Sequence, residues 1–204
     1  LFPYTTLFRS QMNFTTRQVE IIKASKYLIG KKGIQNLTIK NLAEKMSFSE
    51  PALYRHFKDK TEILKALLLF HREIIKSEIL KILESGKPSL IKFQEIFKFK
   101  FKHIEKNPAF VMIIFSETSF QYSNVLSSIV SNIMTQRSKK IINLLKEGQK
   151  NNEIRNDVEA EQLATIIMGG IRKTILSWKL EGFKSDLNLE GEKLWITIQK
   201  LIKK

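Results

Sequence analysis

Residues 49–60 read SEPALYRHFKDK. Ser49 is a good helix N-cap, because its hydroxyl can accept one of the N–H groups that a first turn leaves without partners. Pro51 then falls in that turn, where its missing N–H costs nothing. The helix so begun is short and ends near Phe57, and Asp59 followed by Glu62 is a capping box that opens another. Upstream, Thr38 caps a short helix that turns Ile39, Leu42 and Ala43 inward, and Met46, Ser47 and Phe48 make the turn into Ser49. Further upstream, Arg17 to about Lys32 places Ile21, Ala24, Ser25 and Leu28 on one face, with Thr15 or Thr16 as cap and Gly33 as stop.

Two short helices joined by a tight turn and backed by a supporting helix are what a major-groove reader requires. The charge agrees. The net charge is +15, and residues 12–60 hold ten Lys/Arg against four Asp/Glu, residues 61–150 fifteen against eight, and residues 151–204 nine against eight. Positive density is therefore highest beside the paired helices and vanishes at the C-terminal end, as expected when one end meets a polyanion. A compositional bias toward lysine accounts for the middle segment but does not predict a neutral C-terminal quarter.

From Thr16 onward apolar residues recur at threes and fours and none of the chain alternates with period two, which predicts an all-α protein. A fourth helix runs through about Glu84 to a break at Ser85–Pro88. A fifth, to about Glu105, turns Phe93, Phe97, Phe101 and Ile104 inward while Lys92, Lys98, Lys100 and Lys102 take water. Asn107 and Pro108 start a short apolar helix ending near Phe115, and a long one covers Asn124 to Lys150. Asp157 caps the next, which runs to about Leu180 with Leu163, Ile167, Ile171 and Trp178 inward. The last begins near Glu190 and carries Leu194, Ile198 and Leu201. The result is nine helices in a three-plus-six arrangement, residues 11–60 holding the first three and residues 61–204 the other six. Leu1–Ser10 resembles translated vector sequence and is set aside as a non-native leader, with Met12 as the expected start.

The chain has no cysteine, which excludes disulfides and thiolate chemistry and fits a reducing cytoplasm. Its longest apolar run, Ala109 to Phe115, is far short of the ~20 residues of a membrane span. His56, His71 and His103 have no metal-ligand spacing, and neither a nucleophile elbow nor a phosphate-binding glycine loop is present. No enzyme and no cofactor are expected.

The residues from Arg17 to Lys60, with Ile21, Ile22, Ala24, Leu28, Gly33, Thr38, Leu42, Ala43, Ser49, Leu53, Tyr54, His56, Phe57 and Lys60 at their present spacings, resemble the DNA-binding domain of the TetR family. The segment Asn152 to Asp157, the Gly169–Gly170 pair and Trp178 to Gly182 resemble the regulatory domain of one TetR branch. The resemblance implies that residues 11–60 are a helix-turn-helix DNA-binding domain and residues 61–204 a helical regulatory and dimerisation domain, and that the protein is a homodimer joined through its last two helices on a pseudo-palindromic operator. Ser49, Glu50, Pro51, Ala52 and Tyr54 would enter the major groove, Ala52 offering a methyl to thymine and Arg55 reaching a guanine or a phosphate. Glu50 accepts from cytosine in one reading and merely complements the helix dipole in the other. Thr38, Tyr54, His56 and Lys60 would hold the backbone, while Leu53 and Phe57 are core. Ser47 departs from the family pattern, which usually has glycine there. A serine keeping the same left-handed conformation costs ~1 kcal/mol.

The larger domain is the expected place for a small apolar ligand, with Phe97, Phe101, Met112, Phe115 and Tyr122 as candidate lining residues. In the duller reading these residues are core. A ligand there would favour a dimer with the wrong half-site spacing, the long fourth helix serving as lever. Two rivals stand beside this ligand-responsive repressor. One is a chromosomal DNA-binding protein with no inducer, and the other a helical protein that binds membrane surfaces through the alternating lysines of the fifth helix.

Overall fold

The computed structural model describes residues 14–115 and 123–204. Leu1–Ser10, Met12, Phe120 and Tyr122 lie outside the described residues. Nine α-helices occur among the described residues: α1 Thr16–Lys32, α2 Ile39–Met46, α3 Glu50–Tyr54, α4 Lys60–Leu83, α5 Ser89–Glu105, α6 Pro108–Ile114, α7 Asn124–Lys150, α8 Ala160–Leu180 and α9 Leu187–Ile202. The chain is all-α, with a short 3-10 turn at Ile34–Asn36 between α1 and α2.

The helix ends follow from local chemistry. Thr15 caps α1 in a reciprocal box with Gln18, and Gly33, at φ 83°, releases the chain from it. Asp59 caps α4 by accepting from the Glu62 N–H at 2.8 Å, while the Glu62 carboxylate accepts from the Lys58 N–H at 2.6 Å. Two expected boundaries shift. Asp157 does not cap α8. It forms an ion pair with Arg155 at 2.6 Å, and the helix starts at Ala160. Helix α9 starts at Leu187, earlier than Glu190, because Asp186 accepts from the Leu189 N–H at 2.9 Å.

The buried apolar residues fall into two clusters. The first joins α1, α2, Leu53, Phe57 and the first half of α4 to Ala109, Phe110 and Ile113 of α6 and Leu126 of α7. The helices of the N-terminal unit are thus closed by α6, a plug from later in the chain. The second cluster gathers Phe93, Phe97 and Phe101 of α5 with α7, α8 and α9. Gly191 of α9 lets that helix lie on the Phe101 ring, where an added Cβ would come within 2.4 Å of Cγ. Of the glycine pair in α8, Gly170 meets Leu194 at 3.3 Å from its virtual Cβ, while nothing lies within 4 Å of Gly169. Leu163, Ile167, Ile171, Trp178 and Ile198 are buried as expected; Leu194 is only partly buried and Leu201 is 52% exposed.

Helix α5 does not present the continuous lysine face expected of it. Lys98 and Lys102 are exposed, but Lys92 is buried and paired with Glu147 of α7 at 2.8 Å, and Lys100 points inward to the wall of a cavity. The cause is that α5 packs on two sides, against α9 through its phenylalanines and against α4 and α7 through Ile96, Lys100 and His103.

Candidate nucleic-acid interface and adjoining cavity

The turn between α2 and α3 is set by Ser47, at φ 55° and ψ 42°, in the left-handed region. Its N–H reaches back to Glu44 O at 3.2 Å and the Phe48 N–H to Ala43 O at 2.9 Å, so the chain leaves α2 sharply. Helix α3 follows within three residues, and its Leu53 and the following Phe57 are buried, 1% and 3% exposed. Burying two such side chains contributes roughly 1.5–3 kcal/mol each and fixes which side of α3 faces out. That outer side is made of Ser49, Glu50, Pro51, Tyr54 and Arg55, all exposed, with Ala52 half-buried at its edge.

Helix α3 proper ends at Tyr54; Arg55 and His56 belong to the turn that follows, held by His56 N–H to Leu53 O at 2.9 Å. Gln18 of α1 donates to the His56 carbonyl at 3.1 Å, bracing the end of the reader against the supporting helix. Ser49 stands at the N-cap but its side chain makes no capping hydrogen bond, which leaves the hydroxyl for another partner. The Thr38 hydroxyl does cap, accepting from the Asn41 N–H at 3.1 Å, and a hydroxyl that accepts still has its own hydrogen to donate. Lys60 is drawn inward, its Nζ donating to Ile34 O at 3.2 Å, and burial lowers its pKa. Lys40 and Lys45 of α2 are exposed too, Lys45 lying 4.2 Å above the Tyr27 ring. Their signal in the sequence was only their place on the outer face of a short amphipathic helix.

A cavity of about 370 Å³ lies between α4, α5 and α7, beside Phe110 of α6. Of the residues the sequence nominated for it, the four that are described lie elsewhere. Phe97 and Phe101 are buried in the second core, Phe97 against Trp195 at 5.2 Å between ring centroids. Met112 packs against the first core and Phe115 lies under Arg172, 4.8 Å from its ring. Instead, the adjacent face of α5, with Ile96, Phe99, Lys100 and His103, lines the space. The missed signal was the second three-and-four repeat in α5, offset from the phenylalanine row.

Cations crowd this cavity: Arg72 and Lys76 from α4, Lys100 from α5, and Arg137 and Lys140 from α7, against Glu73 as the one acid among the described residues that line it. Glu73 is engaged by Arg72 at 2.8 Å and Lys76 at 3.6 Å. Burial, and then the charge of Arg137, push Lys100 down to about 7, and burial lowers Arg137 to about 10. His103 is held down to about 4 and the buried His71 to about 3, first by burial and then by Lys26 and the other neighbouring cations. Both imidazoles are neutral at pH 7, with His71 Nδ1 and His103 Nε2 buried and without hydrogen-bond partners. Lys26 of α1 donates to Asn107, whose side-chain amide donates to the His103 carbonyl at 2.5 Å, so the supporting helix of the reader touches the cavity wall through two side chains.

No helix among the described residues is long and apolar enough to cross a membrane, and none of them form a cluster of three metal-ligating groups. A supported pair of short helices with a polar outer face, in the basic part of an all-α chain, is a helix-turn-helix DNA-binding protein. Residues 21–67 match the family described as bacterial regulatory proteins, tetR family, and residues 91–172 match a tetracyclin repressor-like C-terminal domain. The chain belongs to the TetR family of DNA-binding transcriptional regulators. Over 190 residues, 93% of this chain and 97% of the relative, it is 23% identical to the nucleoid occlusion factor SlmA of Vibrio vulnificus. Among solved structures, the ketosteroid transcriptional regulator KstR2 of Mycobacterium tuberculosis superposes with a TM-score of 0.77 at 20% identity, over 93% of this chain and 96% of that one. The regulator FadR of Bacillus subtilis, in complex with stearoyl-CoA, does so with a TM-score of 0.72 at 20% identity, over 88% and 96%.

Proposed function

We propose that the chain is a ligand-responsive repressor that binds a pseudo-palindromic operator as a homodimer and leaves it when the cavity between α4, α5 and α7 fills. The observation that carries this reading is that the cavity and the reader share walls. Phe110 borders the cavity and belongs to the first core, and α4 begins beside α3 and runs along the cavity. An occupant that displaces Phe110 or the second half of α4 therefore acts on the seat of α3, and a differential affinity for the two arrangements is all that allostery requires.

On DNA, Ser49, Glu50, Pro51 and Ala52 face the bases, with Arg55 on a guanine or a phosphate, while Thr38, Tyr54, His56 and Lys60 hold the backbone. For Lys60 to do so its ammonium must leave the Ile34 carbonyl. The homodimer forms through α8 and α9, whose outer faces leave Ile166, Leu180, Leu189 and Ile196 between 47% and 77% exposed. Apolar side chains gathered on two adjacent helices mark a surface that another copy covers. Sedimentation of the intact protein and of Ile196→Glu tests this interface: the variant is expected to be monomeric.

DNA binding by the dimer is expected to fall steeply with salt, since several phosphates are neutralised. Fluorescence anisotropy with genomic fragments between low and physiological salt checks it, and affinity independent of salt would overturn the reading. The relatives named as nucleoid occlusion factors favour a second reading, a chromosomal DNA-binding protein without an inducer. Occupancy at many sites outside promoters would select it. The membrane-surface reading loses its basis, because Lys92 and Lys100 interrupt the lysine face that suggested it.

A further inference from the structure

We infer that the occupant of the cavity is an amphiphile with an apolar chain and an anionic head, and that Lys100 and Arg137 hold the head. This deepens the ligand-responsive reading above and rests on it. The two side chains come from facing helices, α5 and α7, and both line the same space. Neither makes a hydrogen bond or an ion pair with any described residue. Glu73, the one acid among the described residues of the wall, is already engaged by Arg72 and Lys76.

A cation drawn partly out of water without a partner is costly, and proteins ordinarily neutralise it or pair it. Here two half-buried cations line the same space, and burial, then the charge of Arg137, lowers the pKa of Lys100. An anion placed between them relieves both at once through charge-assisted hydrogen bonds. The neighbouring His103 Nε2, buried and unpartnered, adds a further polar atom at the same wall. The rest of the lining accounts for the chain. Ile79, Leu83, Ile96, Phe99, Ile141 and Leu144 make an apolar stretch of wall, with Asn132 and Gln136 of α7 as the uncharged polar side chains beside it. A neutral apolar molecule would fill the space but leave both cations unpaired, and a cationic one would add to the repulsion.

The test uses the full chain with four ten-carbon probes below their micelle concentrations: decanoate, decyl phosphate, decanol and decyltrimethylammonium. Calorimetry is expected to give at least one anion binding about tenfold or more above decanol, the effect of a charge-assisted hydrogen bond, and no binding of the cation. Which anion wins separates a carboxylate from a phosphate head. Lys100→Met and Arg137→Met are each expected to bring the preferred anion to within about threefold of decanol while decanol affinity stays. Retained decanol binding shows that the variants are folded, and both should melt higher than the parent because a partly desolvated cation, unpaired among the described residues, has gone.

Decanol matching the anions on the parent protein would overturn the assignment of the head, as would an undiminished preference in both variants or no binding of any probe. The same probes added to the DNA complex separate this from the reading beneath it. If decanol releases DNA as well as decanoate does, the protein is ligand-responsive and the anionic head is wrong. If the protein binds no genomic fragment at all, the repressor reading has failed whatever the probes do.

Discussion

Replacing Ser47 by glycine should stabilise the protein, and the structure gives the size of the effect. A left-handed conformation costs an L-residue about 1–2 kcal/mol, which Ser47 bears at φ 55°. Glycine escapes this but loses more conformational freedom on folding, about 0.5–1 kcal/mol. The difference is a net gain of roughly 0.5–1 kcal/mol. Nothing offsets it, because Ser47 is exposed and its hydroxyl makes no hydrogen bond with a described residue, while the turn is held by backbone groups that glycine keeps. Thermal unfolding followed by circular dichroism should show a melting temperature higher by roughly 1–4 °C for a chain of this size. Ser47→Ala keeps the φ penalty and lacks the hydroxyl, so its melting temperature should stay near that of the parent. A drop with glycine, or an equal gain with alanine, would refute the reasoning.

Gly191→Ala pushes a methyl to within 2.4 Å of the Phe101 ring, in a part of the core with no slack, and should destabilise by about 1–3 kcal/mol in urea unfolding. Acid should unfold the protein before most carboxylates titrate. The unfolded chain protonates its histidines near pH 6.5, but folded His71 and His103, facing Lys26 and Arg137, resist down to about 3 and about 4. Their contribution is therefore complete above pH 6.5 and lost as pH falls, by about 2 kcal/mol for each at pH 5. His71→Phe should flatten that limb of the stability curve, and an unchanged limb would show that His71 is not its source. Tyr54→Ala should weaken binding to all DNA sequences about equally, whereas changes at Ala52 should alter the ranking among sequences. A systematic selection with both variants separates the two outcomes.

The reader could be read from the sequence because its signals are local. Caps at Thr38 and Asp59, the N-cap position of Ser49, a proline in a first turn and a single apolar face on each helix depend on neighbours within one or two turns, and they appear where the residues from Thr38 to Glu62 put them, though the Ser49 hydroxyl makes no capping hydrogen bond. The cavity could not be read this way. Lys92, Lys98, Lys100 and Lys102 alternate in the sequence and look alike, yet one pairs with Glu147, one lines the cavity and two meet water. Their fates depend on α4, α7 and α9, which approach α5 from two sides only once the chain has folded. The phenylalanine row misled for the same reason. It is the stronger of two apolar repeats in α5, and the stronger repeat goes to the close helix contact at Gly191, leaving the weaker and more polar one to line the space.

That division of α5 also bears on how the two halves of the chain communicate. The cavity face carries His103, whose carbonyl holds Asn107, and Asn107 holds Lys26 of the helix that supports the reader. Asn107 precedes Pro108 at the start of α6, the plug of the first core, so the same residue fixes both the supporting helix and the entry to that plug. A side chain that makes two partly buried hydrogen bonds at such a junction cannot shift without one of them breaking. The cost of losing a hydrogen bond to a charged group, about 1.5–3 kcal/mol, is within the 1–3 kcal/mol over which ligand and DNA sites are ordinarily coupled. The junction at Asn107 is therefore of the right size, and in the right place, to carry an event at the cavity to the helix on which α3 rests.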